Sequence, residues 1–96
     1  MITKDKENLL AEETILETNK RRGDETLKYI LYRSKKGGRD SYSIRVFQYK
    51  RGELICRATA SDVSSVYSQA EMMFDAVSNG FVEPYILCDV IYDLLP

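Results

Sequence analysis

A chain of 96 residues, 44% hydrophobic and 30% charged, has room for one packed core and none for a second, which excludes disordered and fibrous classes. It contains no histidine, so the usual neutral-pH base and commonest metal ligand are missing, and neither GxGxxG nor GxxxxGK[ST] occurs. The net charge of −1 conceals an uneven layout: residues 20–57 hold twelve Lys/Arg against four acids, whereas residues 58–96 hold six acids and no Lys or Arg.

Residues 1–10 offer no apolar face and read as frayed or weakly helical. Charges break every apolar run there, so no signal-peptide h-region is present, and no stretch of the chain approaches the ~20 apolar residues of a membrane span. Cys56 and Cys88 stand far apart without a CxxC pattern, and a cytoplasmic setting is the simplest expectation. Residues 12–19 (EETILETN) suit a strand or the end of a short helix, the β-branched Thr14, Ile15 and Thr18 favouring the strand.

After the Arg22-Gly23-Asp24 turn, ETLKYILYRS (25–34) predicts a second strand. A Gly37-Gly38 loop leads to a third, SYSIRVFQYK (41–50), and the Lys50–Glu53 turn to a fourth, LICRATA (54–60). Three short connections in succession predict an antiparallel meander. From Ser61 the period changes: Val63, Val66, Tyr67, Ala70, Met73, Phe74 and Val77 form one helical stripe. Ser61, Asp62, Ser64 and Ser65 are placed to cap that helix, and Gly80 suits a left-handed C′ position. Pro84 opens a second helix with Leu87, Cys88, Val90, Ile91, Leu94 and Leu95 on its apolar side and Asp89 and Asp93 on its wet side. The expected architecture is therefore α+β: a four-stranded antiparallel meander followed by two C-terminal helices packed on one sheet face.

Strand alternation assigns the faces. Leu27, Tyr29, Leu31, Tyr42, Ile44, Val46, Leu54, Cys56 and Ala58 make the face expected under the helices. The opposite face carries Lys28, Ile30, Tyr32, Arg45, Phe47, Tyr49, Ile55, Arg57 and Thr59, a mixture of cations, rings and aliphatics that an ordinary solvent face does not show. Three uses compete for it. The N-terminal segment with Leu9, Leu10, Ile15 and Leu16 covers part of it; a second copy docks on it in self-association; or it stacks single-stranded nucleic acid. The meander also brings Lys20, Arg21 and Arg22 to the same end as Lys50 and Arg51, a candidate anion site, although interspersed acids favour plain solvation.

No activated nucleophile or general base is visible, so neither a catalytic residue nor a cofactor is expected. Cys56 and Cys88 are both expected to face the core as small hydrophobes. Glu71/Asp75 and Asp89/Asp93 are i, i+4 carboxylate pairs, and two monodentate carboxylates make a poor cation site; they read as an acidic helix surface suited to a basic partner.

Asp62-Val63-Ser64 and Leu87-Cys88-Asp89-Val90-Ile91-Tyr92-Asp93 resemble the helix-start and closing-helix patterns of a small family of unknown function found mainly in Firmicutes. The resemblance spans roughly residues 41–95, with Tyr42-Ser43-Ile44 standing where that pattern has a YGI-like turn. It implies strands followed by two helices and assigns no activity. The leading functional expectation is a non-enzymatic, self-associating interaction module; the alternative is a polyanion or single-stranded nucleic-acid binder.

Overall fold

The computed structural model describes residues 12–95. Four strands follow one another, β1 (Glu13–Arg22), β2 (Glu25–Lys36), β3 (Arg39–Lys50) and β4 (Glu53–Ser64), paired antiparallel in the order β1-β2-β3-β4. Helix α1 (Tyr67–Asn79), a 3₁₀ turn (Pro84–Ile86) and helix α2 (Leu87–Leu94) complete the α+β meander. The segment 12–19, expected as a strand or a short helix end, is strand from Glu13 onward, and each strand is longer than its apolar run because the two-residue hairpins keep the ladder paired to its ends. Positive φ at Gly37 and Gly38 (60° and 83°), and at Arg51 and Gly52 (52° and 85°), gives the turn twist that matches paired strands. The prediction for residues 1–10 lies outside the described residues.

Leu27, Tyr29 and Leu31 of β2, Tyr42, Ile44 and Val46 of β3, and Ala60 and Val63 of β4 form one cluster with Ala70, Met73, Phe74 and Val77 of α1 and Leu87 and Ile91 of α2. Each large apolar side chain so buried contributes ~1.5–3 kcal/mol. Two polar links tie the helical layer to the sheet. The Tyr29 hydroxyl donates to the Val82 carbonyl at 3.0 Å, and Gln48, itself buried, donates to Glu25 and Glu83 at 3.3 and 3.4 Å.

Four expectations are corrected. The first helix begins at Tyr67, not near Ser61, because β4 continues to Ser64. Residues 61–63 bulge against Ser43, with Asp62 at φ 54°. The Asp62 N–H donates to Ser43 Oγ (3.0 Å), its carboxylate accepts from Ser41 Oγ (2.8 Å), and Lys36 lies 3.4 Å away. Residues whose short oxygens suit a helix cap thus clamp a bulge; Ser64 Oγ alone serves the helix start, accepting from the Val66 N–H at 2.9 Å. At the C-terminus of α1 the left-handed residue is Phe81 (φ 53°) rather than Gly80 (φ −87°). Val82 N–H reaches the Val77 carbonyl and Phe81 N–H the Ser78 carbonyl, so the Schellman pattern sits one residue later. Glycine stands at position 80 because a Cβ there would lie 2.9 Å from the Ala76 carbonyl oxygen.

The third correction concerns Leu54. A register shift between Gln48 and Tyr49 leaves it opposite Tyr49 and 47% exposed, away from the core face. The fourth concerns the thiols: Cys56 is half-buried, and Cys88 is exposed at the rim of β4, its Sγ 3.9 Å from the Thr59 carbonyl oxygen. Leu95 is likewise exposed, just beyond α2. No helix among the described residues is long and apolar enough to cross a membrane.

Candidate interaction surface

The cross-strand registers lay the face opposite the helices out in rows. Arg21, Thr26, Tyr49 and Leu54 make one row; Asn19, Lys28, Phe47 and Arg57 the next; Glu17, Ile30, Arg45 and Thr59 the third. Alternation therefore brings Lys28, Ile30, Tyr32, Arg45, Phe47, Tyr49 and Arg57 together as expected. Ile55 falls in the irregularity beside Leu54 and is 52% exposed. Ile30 departs from the open-face expectation in burial: flanked by Glu17 and Arg45, it is only 6% exposed yet stands outside the main core cluster. Ile15 and Leu16, offered in one of the three readings as cover for this face, pack instead against the core, Leu16 standing opposite Leu31; Leu9 and Leu10 lie outside the described residues.

Arg45 and Arg57 flank Phe47, and with Ala58 and Thr59 these residues line a cleft of ≈ 320 Å³. The two cations are not equivalent. Arg45 stacks its guanidinium 4.2 Å from the Tyr32 ring centre and donates to the Glu12 carboxylate at 2.8 Å. Lys28 pairs with Glu17 at 3.4 Å, whereas Arg57 has no ion pair among the described residues. Glu12, which sequence reasoning did not single out, thus lies against a residue two strands away; nothing local in the sequence signals such a pair.

The candidate anion turns come out differently. Lys20, Arg21 and Arg22 belong to β1 rather than to a turn, since pairing continues to Arg22↔Glu25. Alternation then divides them: Arg21 lies on the open face, while Lys20 donates to Asn79 (3.3 Å) on the helix side. Arg22 sits 3.7 Å from Glu83 and over the Phe81 ring at 5.4 Å. Lys50 is opposite both Glu25 and Glu53. The first and third turns do meet, through the Arg51 N–H on the Asp24 carbonyl (2.9 Å) and Arg51 Nε on its carboxylate (3.2 Å). Most of these cations already serve internal partners.

The helical layer carries the opposite sign. Asp75, Asp89 and Asp93 are exposed and Glu71 half-buried, accepting from the Tyr67 hydroxyl at 3.3 Å. That contact and burial hold the Tyr67 phenol above its ordinary pKa, burial contributing most. Met72 (55% exposed), Tyr85 (73%) and Tyr92 (78%) add apolar surface to the same layer. The molecule is a slab, 43 × 36 × 19 Å, so the basic-aromatic sheet face and the acidic helix face are its two broad sides.

Two of the motifs that carry the sequence resemblance, Asp62-Val63-Ser64 and Tyr42-Ser43-Ile44, meet in space, since the Asp62 N–H donates to Ser43 Oγ. They belong to the bulge clamp described above, a structural device. No match was found among curated proteins or among solved structures. Residues 8–96 match a family of unknown function (DUF6514), a span that takes in β1 and β2 as well as the C-terminal half, and the chain belongs to that family.

Proposed function

We propose that the protein is a non-enzymatic interaction module that self-associates by docking the basic-aromatic sheet face of one copy on the acidic helical face of the next. The observation that carries this reading is the charge of the two broad sides: Arg45 and Arg57 flank Phe47 on one, while the two helices of the other, Tyr67–Asn79 and Leu87–Leu94, contain no cation. Pairing two sheet faces would set like charges against each other; pairing unlike faces does not. Because the two surfaces lie back to back, the contact is head-to-tail and extends by stacking rather than closing as a dimer. Two free thiols, one of them exposed, suit a reducing compartment, and we assign the protein to the cytoplasm.

Sedimentation velocity from micromolar to millimolar protein tests this. The expected result is a weight-average mass that rises without a plateau and falls with salt, as the Debye length shrinks from ~10 Å at 0.1 M to ~3 Å at 1 M. An Arg45→Glu/Arg57→Glu variant keeps its helical face but loses its sheet face, so substoichiometric amounts should shorten wild-type assemblies. A strict monomer at every concentration would overturn the proposal.

Single-stranded nucleic acid is the competing ligand, favoured by the Arg45–Phe47–Arg57 arrangement and disfavoured by the internal partners of Lys20, Arg22 and Arg51. Salt-dependent binding of a homopolymeric oligonucleotide that is lost in the double variant would support it over self-association.

A further inference from the structure

Resting on that reading, we infer that the Arg45/Arg57 pair is the seat for the Asp89/Asp93 carboxylates of a second copy, and that Glu12 competes for the Arg45 half of it from within the same chain. The geometry of the two pairs corresponds. Arg45 is opposite Thr59, and Arg57 lies two residues along the same strand, so the two arginines are diagonal neighbours, ~7–8 Å apart at the backbone. Asp89 and Asp93 are one helical turn apart, their Cβ atoms ~5–6 Å from each other. Long arginine side chains close that difference. Phe47 stands beside both arginines, opposite Arg57 and two residues along the strand from Arg45, and Tyr92 stands beside both aspartates, three residues from Asp89 and next to Asp93; being 78% exposed, it gives the docked helix a ring to lay on the cleft. The α1 carboxylates fit less well, because Glu71 already accepts from Tyr67.

Glu12 enters through the asymmetry of the cleft. Its carboxylate is held at 2.8 Å by Arg45, the position an incoming aspartate needs, while Arg57 has no such partner among the described residues. A carboxylate supplied in cis lowers the apparent affinity for one supplied in trans. The contact is exposed enough to exchange, Arg45 and Glu12 side chains being 31% and 39% exposed.

The test is self-association of the full chain by sedimentation equilibrium at low salt, comparing wild type, Glu12→Gln, Asp89→Asn/Asp93→Asn and the triple variant. Thermal melts confirm that each remains folded. Glu12→Gln should tighten association about two- to fivefold, the worth of one exposed ion pair. Asp89→Asn/Asp93→Asn should weaken it and abolish the gain from Glu12→Gln, while Glu71→Gln/Asp75→Asn should preserve that gain. If wild type associates but Glu12→Gln leaves the affinity unchanged, the competitor role is refuted while the face-to-face reading stands. A gain that survives loss of Asp89 and Asp93 refutes the assignment to α2. Absence of association in every variant removes both readings.

Discussion

Replacing Tyr29 by Phe isolates one hydrogen bond that joins the sheet to the link between the helices. The ring is fully buried, and its hydroxyl donates to the carbonyl of Val82, also buried, at 3.0 Å. Removing the hydroxyl forfeits a net ~0.5–1.5 kcal/mol and leaves a buried acceptor unsatisfied, so the expected loss is about 1–2 kcal/mol at neutral pH. For a domain of this size that corresponds to a Tm lower by roughly 5–15 °C. The phenol also titrates late. Burial raises it from 10.0 to about 12; nearby Arg22 acts to lower it and Glu83 to raise it, both more weakly. A raised folded value means that the unfolded chain gives up its proton first, so Tyr29 contributes fully below pH 10 and the contribution disappears as pH rises towards 12. Two units set a ceiling of ~2.7 kcal/mol, and solvent screening brings the expectation to about 1–2 kcal/mol. Urea denaturation of both proteins at pH 7 and at several points from pH 9.5 upward measures this directly. The gap between wild type and Tyr29→Phe should be widest at neutral pH and close in strongly alkaline solution. Equal stabilities at pH 7, or a gap independent of pH, would refute the reasoning.

Gly80→Ala should destabilise by about 1–3 kcal/mol, although alanine ordinarily favours helices, because the added methyl meets the Ala76 carbonyl oxygen at 2.9 Å; chemical denaturation against wild type measures it, and a gain in stability would show that the α1 terminus relaxes freely. The Asp62 carboxyl is held below its ordinary 3.8, first by the hydrogen bond from Ser41 and then by Lys36. Its contribution is therefore complete above pH 3.8 and lost as pH falls through the lowered value. Asp62→Asn should flatten the acid limb of the stability curve, and an unchanged limb would mean that the bulge clamp does not depend on the charge.

The alternation of β2 and β3 was legible residue by residue. Leu27, Tyr29 and Leu31 face the helices, and Lys28 and Tyr32 face away from them, because the ladder between these strands runs without a register shift. In β4 the same rule failed at Leu54, since one extra residue after the turn reverses which side a side chain takes, and no local signal separates a bulge from regular pairing. The helix starts later than the local sequence predicts for a related reason. Serine and aspartate oxygens satisfy a helix N-terminus or a bulge equally well, and only the presence of Ser41 and Ser43 on the neighbouring strand decides for the bulge. Val63 kept its place in the core because the stripe it belongs to is buried whichever backbone carries it.

Composition and spacing alone determined the order of elements, the antiparallel meander and the segregation of charge, because hydrophobic period and turn chemistry act within a few residues along the chain. What covers or neutralises each charge was decided by the tertiary structure. Glu12 reaches Arg45 across two strands, Arg22 finds Glu83 and Phe81, and Lys20 finds Asn79 at the end of α1. Such pairs join residues far apart in the chain, and their energy depends on which side chains the register brings opposite one another. The layout of the proposed contact surface follows from that register, which sets Arg57 beside Phe47 with no ion pair among the described residues.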